Sequence, residues 1–260
     1  RSGHTEAAVD LCHMAGLKGG AIISELMHED GTMMRLPAIK QFAKKHHLAV
    51  CTVADLIAER RKRETLVSPV ASCDLPTEYG TFRLSVFRDH TTGKEHVALV
   101  YGDIKKSKAT LVRVHSECLT GDVFASHRCD CQWQLHAALK LIAKEGAGVL
   151  LYMRQEGRDI GLSNKIRAYD LQQRKGLDTV DANFALGFAM DLRDYGIGAQ
   201  ILRSLGITKL RLLTNNPRKL SGLQGYGLSI VEHIPLVHPR PNTIQKSYLA
   251  AKKTKMGHRL

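Results

Sequence analysis

An α+β fold is predicted for the 260-residue chain, with an antiparallel β part joined to an α/β part and preceded by a truncated α/β segment. Three observations carry this. Phe82, Leu84 and Val86 alternate with polar neighbours, and a second apolar run, His96 to Tyr101, follows across a turn at Gly93, as in a β-hairpin. From about Leu135 onward, stretches of helical and of strand period take turns, the pattern of α/β units. Residues 1–64 show the same alternation in a piece too short to bury a comfortable core alone.

In chain order, Leu36 to His47 places Leu36, Ile39, Phe42 and Ala43 on one helical face. Leu48 to Val53 reads as a short apolar strand, and Ala54 to Arg63 as a helix ending in the basic run Arg60-Arg61-Lys62-Arg63. Residues 65–74 lie in a stretch containing Pro69, Pro76 and small polar residues and read as a linker, which leaves 75–260 as the second domain. After the hairpin, Ala109 to Val114 is a third strand. Leu135, Leu139 and Ile142 mark a helix, and Gly148 to Met153 a fully apolar strand. Helices are expected at Asn164 to Gln173 and Tyr195 to Leu205, strands at Lys209 to Thr214 and Leu228 to Leu236, and a basic helix from about Thr243.

A formal charge of +13 fits partners that are anions: nucleic acid, an acidic membrane surface, or a small polyanion. The basic residues are spread along the chain, and the run at 60–63 reads as a solvated helix face. Aromatic content is 5%, without the aromatic-basic interleaving of a base-stacking platform, so nucleic acid ranks below a small anion. No apolar run reaches membrane-span length, and Arg1-Ser2-Gly3-His4-Thr5-Glu6 lacks the layout of a secretory signal, so a cytoplasmic protein without membrane association is expected.

Of the six cysteines, Cys12, Cys51 and Cys73 are scattered, whereas Cys118, Cys129 and Cys131 are grouped. Three thiolates are soft ligands of the kind zinc prefers, and three protein ligands leave a fourth position open, as in catalytic sites. His115 as a fourth ligand would make a closed structural site instead.

The surrounding residues carry a resemblance. Arg113-Val114-His115-Ser116-Glu117-Cys118-Leu119-Thr120-Gly121-Asp122 followed by Arg128-Cys129-Asp130-Cys131 resembles the zinc-binding signature of GTP cyclohydrolase II. Tyr152 to Arg158, Asn164 to Tyr169, Asp178 to Asn183, Leu213 to Lys219 and the closing Lys255-Met256-Gly257-His258 look like that family in the family's order.

The resemblance implies hydrolysis of GTP to a diaminopyrimidine ribosyl phosphate, formate and pyrophosphate, the first step toward riboflavin. Cys118, Cys129 and Cys131 would hold one Zn²⁺, which activates water for attack on C8 of guanine. Arg193 would attack the α-phosphorus with Asp191 as proton acceptor, since a guanidinium is otherwise protonated and a poor nucleophile, and Tyr169 would assist attack at the ring. Arg113, Val114, His115, Ser116, Glu117, Gln134, Glu156, Gly157, Arg158, Thr179, Thr214 and Lys219 match the family's GTP contacts. Arg158 and Lys219 suit phosphates, and Glu156 suits guanine N1 and N2. Mg²⁺ is expected with the triphosphate. A homodimer is the family's common state. Gln132 stands where the family commonly has glycine, so a strained turn at Cys131 is expected if that glycine's backbone angle is unusual.

The N-terminal piece resembles the last third of 3,4-dihydroxy-2-butanone 4-phosphate synthase, through Arg1 to Ala8 and Ser24 to Met33. That lyase is often fused in front of GTP cyclohydrolase II, so a two-activity protein is an alternative reading. The match implies His4 as a Mg²⁺ ligand, Glu25 as a catalytic carboxylate and Thr5 near the phosphate of ribulose 5-phosphate, without the acidic loop that supplies the family's other metal ligands. A third reading, from a different class, is a zinc-stabilised RNA-binding module, motivated by the charge and the cysteines.

Overall fold

The computed structural model describes residues 3–189, 193, 195–216, 223 and 226–256. The chain divides into two compact units, Arg1–Glu64 and Thr65–Leu260.

In the first unit, α1 (His4–Met14), α2 (Leu36–Lys45) and α3 (Val53–Arg63) are joined by extended chain. Thr52 and Asp55 form a reciprocal capping box that starts α3, and Arg60 reaches Asp10 of α1 at 2.6 Å. The expected strand at Leu48 to Val53 does not form, because its apolar run has no strand beside it; the unit's β pairing among the described residues is the bridge between Met27 and Met33. Ile22, Ile23, Leu26, Leu48 and Val50 are exposed. Arg63 pairs with Glu59 at 2.6 Å, as a solvated helix face would.

The second unit is built on one mixed seven-stranded sheet in the order β1-β2-β3-β5-β4-β6-β7. Its strands are β1 (Val67–Thr77), β2 (Gly80–Asp89), β3 (Glu95–Tyr101), β4 (Thr110–Ser116), β5 (Gly148–Met153), β6 (Lys209–Leu213) and β7 (Ser229–Ile234). β1 to β3 form an antiparallel meander that joins β5, and β5, β4, β6 and β7 run parallel. The stretch read as a linker is therefore mostly β1. Pro69 and Pro76 are tolerated there because β1 is the sheet's edge, where a missing N–H leaves no neighbour unpaired, and the register shifts next to Pro69.

Helices cover both faces of the parallel half. Val112, Val114, Val149, Leu151 and Met153 pack with Ile197, Ala199, Ile201 and Leu202 of α8 (Gly196–Ser204). Leu111, Leu150 and Leu213 pack with Ala138, Leu139 and Ile142 of α5 (Cys131–Glu145) on the other side. Burial on both faces explains why β5 is apolar throughout rather than alternating. The remaining helices are the one-turn α4 (Leu119–Asp122), α6 (Leu162–Lys175), α7 (Thr179–Ala185) and the C-terminal α9 (Thr243–Met256). No helix among the described residues is long and apolar enough to cross a membrane.

Candidate metal and nucleotide site

The site lies past the carboxyl ends of β4, β5 and β6, where an open parallel sheet usually binds its ligand. Alternation along β4 sends Arg113 and His115 to the α5 face and Val114 to the α8 face. Arg113 is 5% exposed; its Nη1 donates to the Leu213 carbonyl at 2.9 Å and its Nη2 to Gln134 Oε1 at 2.6 Å. Burial lowers its pKa to about 10, against the opposing pull of Asp130 and Cys131, so the guanidinium stays charged. Val114 is 1% exposed in the core, and its side chain is not among those lining the cleft.

Cys118 caps α4, Cys129 lies at the end of the following loop and Cys131 opens α5. The three sulfurs lie within 4.8 Å of one another, and they form the one group of metal-ligating side chains found among the described residues. A tetrahedron with sulfurs about 2.3 Å from its centre has edges of about 3.8 Å. The Cys118 and Cys129 sulfurs are 3.7 Å apart, so the donor set fits zinc. A Cβ on Gly121 would stand 2.8 Å from the Cys129 sulfur and 3.1 Å from that of Cys118, so glycine keeps this cradle open. Without a metal, the Cys118 thiol is driven far down by hydrogen bonds from Cys129 and Cys131 and by the Lys165 ammonium, while the two donor cysteines are pushed up.

His115 is not a fourth ligand. Its Nε2 lies 3.0 Å from Asp122 Oδ1, and Asp122 Oδ2 also accepts from the Tyr152 hydroxyl at 2.8 Å. Gln132 sits in the first turn of α5 and is not among the residues with positive φ, so the expected strain is absent: the helix starts at Cys131 and any residue suits the next position.

The backbone turns sharply at Gly157, Arg158 and Asp159, all with φ between 63° and 72°. Only Gly157 adopts this without cost, so two strained residues mark the turn as built for a purpose. Arg158 Nη2 reaches Thr179 Oγ1 at 3.3 Å. Glu156 is braced rather than free: Oε2 accepts from Leu119 N at 2.7 Å, and Oε1 from Gly157 N at 2.8 Å and Lys165 Nζ at 2.7 Å. A carboxylate so engaged is a strut between α4 and the turn, and it also lines the cleft.

Tyr169 lies in the cleft, its hydroxyl 3.4 Å from Thr120 Oγ1 and its ring beneath Arg128 at 4.7 Å. Burial raises its pKa, so the phenol keeps its proton. Arg193 is held by Ser116 Oγ at 3.3 Å. The cleft, about 990 Å³ including its open mouth, is lined by Arg113, His115, Ser116, Glu117, Gln134, Glu156, Gly157, Arg158, Thr179 and Thr214 together with Tyr169, Arg193 and the cysteines. Asp191 and Lys219 lie outside the described residues. His4, Thr5 and Glu25 are exposed and belong to no metal-ligating group among the described residues.

Several lining residues were not singled out from sequence. Lys165 had a signal, since it falls four residues before Tyr169 on one helix face. Asn215 locks the end of β6 to Leu236 through 2.6 and 2.8 Å bonds in both directions, and Tyr248 of α9 closes one side. Gln245 of α9 donates to the Cys129 carbonyl at 2.8 Å.

The chain is 57% identical over 259 residues to a protein of Aquifex aeolicus named riboflavin biosynthesis protein RibBA, covering 99% of this chain and 63% of that one. A protein of the same name from Bacillus subtilis is 58% identical over 261 residues, 100% of this chain and 65% of that one. The chain thus spans less than two thirds of these relatives. The crystal structure of RibBX, a two domain 3,4-dihydroxy-2-butanone 4-phosphate synthase from A. baumannii, superposes with a TM-score of 0.56 at 32% identity, over 90% of this chain and 59% of that one. Residues 1–59 match the 3,4-dihydroxy-2-butanone 4-phosphate synthase family. Residues 68–235 match the GTP cyclohydrolase II family, to which the chain belongs.

Proposed function

We propose that the unit Thr65–Leu260 hydrolyses GTP to a diaminopyrimidine ribosyl phosphate, formate and pyrophosphate, and that the observation carrying this is a three-cysteine cluster at the floor of a cation-lined cleft. Zinc held by Cys118, Cys129 and Cys131 would supply a Lewis acid that activates water beside the guanine ring. Arg158 and Arg193 offer charge to the triphosphate, with Mg²⁺ accompanying the phosphates and Lys219 assigned by resemblance to the same task. Arg193, held by Ser116, gives a proton to Asp191 and attacks the α-phosphorus, the α–β phosphoanhydride bond breaks with pyrophosphate leaving, and water then cleaves the P–N bond to free the arginine. Tyr169, still protonated, donates or relays a proton at the ring. Glu156 and Glu117, the latter with a 19% exposed side chain paired to Arg154, both line the cleft as carboxylates for the guanine edge.

A homodimer in the cytoplasm is the assembly and location this reading favours. Residues 1–59 are assigned to a lyase-type segment without a working site in this chain, because His4, Thr5 and Glu25 are exposed and gather no further ligands among the described residues. The test is product analysis by mass spectrometry after incubation with GTP, Mg²⁺ and Zn²⁺, with ribulose 5-phosphate in a parallel incubation. Diaminopyrimidine, formate and pyrophosphate are expected from the first and no four-carbon phosphate from the second. Salt-sensitive RNA binding without GTP turnover would replace this reading with the RNA-binding one.

A further inference from the structure

Lys165 is a buried cation in the cleft with no part in the reaction as assigned so far. Its side chain is 10% exposed, on α6 one turn before Tyr169. Nζ donates to the Cys118 sulfur at 3.2 Å and to Glu156 Oε1 at 2.7 Å. An ammonium taken out of water is costly unless negative groups answer it, and a Lys–Glu pair alone would already do so. The second bond, to a sulfur, needs its own reason.

The charge of the metal site provides one. Three thiolates around a divalent ion leave one net negative charge, and thiolates that push electron density onto the metal weaken it as a Lewis acid. A cationic N–H aimed at one sulfur draws that density back. Glu156 extends the arrangement, since its other bonds reach Leu119 N, next to Cys118, and Gly157 N, next to Arg158. One ammonium therefore touches both Cys118 and the carboxylate that braces the backbone beside it.

We propose that Lys165 is a positioning residue of the ring-opening reaction, which by its hydrogen bond to the Cys118 thiolate keeps the bound metal electrophilic. The inference rests on the functional reading above. It applies to the ring-opening half of the reaction, since Arg193 is held by Ser116 rather than by Lys165.

The experiment compares Lys165→Met and Lys165→Arg with the parent 260-residue chain, each loaded with Co²⁺ in place of zinc. In Lys165→Met the thiolate-to-cobalt charge-transfer band should move to lower energy, because a thiolate freed of a cationic hydrogen bond gives up its electron more readily. Formate release should fall on the order of tenfold to a hundredfold, the usual effect of losing a partner of a metal ligand, while pyrophosphate release stays near the parent rate. Lys165→Arg should return the band toward its original position and recover part of the formate rate. If Lys165→Met fails to hold cobalt, Lys165→Gln takes its place, with the same band shift expected. An unmoved band, or formate and pyrophosphate release falling together, would overturn the role of Lys165 while the parent still turns over GTP. A parent that neither binds cobalt nor opens the ring would overturn the functional reading and this inference with it.

Discussion

Asp122 Oδ2 accepts a hydrogen bond from the backbone N–H of Cys118 at 2.9 Å, so a buried carboxylate four residues away sets the backbone of the first metal ligand. The same carboxylate takes the His115 ring and the Tyr152 hydroxyl. Asp122→Ala would strand these donors in a dry environment, at a cost on the order of 3 kcal/mol. A lower thermal midpoint and faster zinc loss to a chelator are expected; a variant that keeps both at parental values would show that the loop around Cys118 holds itself.

One zinc per chain is expected, measured by elemental analysis, and serine at Cys118, Cys129 or Cys131 should abolish it because a hard oxygen replaces a soft ligand. Cys12, Cys51 and Cys73 stand outside the cluster, and their serine variants should keep the full complement. Zinc retained in all of the cluster variants would place the metal elsewhere.

The cysteine cluster was legible in the sequence because metal binding demands a residue type that few other roles need in so close a group. The β2–β3 hairpin and the apolar strand β5 were legible because period and turn residues agree. Val114 follows from strand alternation: with Arg113 and His115 facing the site, the residue between them faces away. Local signals failed where the deciding fact was a neighbour. The prolines of β1 mark a break in most contexts and are harmless at a sheet edge, and Leu48 to Val53 has strand composition without a partner. Asp122 and Tyr152 lie thirty residues apart, and nothing in either segment alone announces their bond.

Stability should fall with acid through His96. It is 2% exposed, accepts from the Arg154 backbone N–H at 3.0 Å, and its pKa is lowered by burial from 6.5, with Lys94 and Arg154 adding to that and Asp89 and Asp159 opposing it. The folded chain therefore keeps this imidazole neutral while the unfolded chain protonates it. The contribution is complete above 6.5 and is lost as pH falls through that value toward the folded pKa. Between about pH 7.5 and about pH 5.5, thermal midpoints of the parent should drop more steeply than those of His96→Gln. Parallel slopes would assign the acid sensitivity to other groups.

The two halves of the proposed reaction should separate at Arg193 and Tyr169. Arg193 lies against Ser116 and the Tyr195 ring, at a centroid distance of 5.5 Å, whereas Tyr169 sits beside Thr120, whose hydroxyl is 3.8 Å from the Cys118 sulfur. Both line one cleft, and the proposal gives Arg193 the phosphates and Tyr169 the metal. Arg193→Ala should stop pyrophosphate release while GTP still binds, because Arg113, Arg158 and the cleft's backbone remain. Tyr169→Phe removes one hydroxyl and keeps the ring under Arg128, so the cleft should hold its shape. That variant should still release pyrophosphate yet open the ring slowly, and GMP should accumulate. General acid-base assistance is worth on the order of a hundredfold or more, so formate release should fall by at least that much. Pyrophosphate, nucleotide and formate followed in the same reaction distinguish the cases. If both variants lose both products in proportion, the roles are not divided between these residues, and the cleft must work through a single shared step.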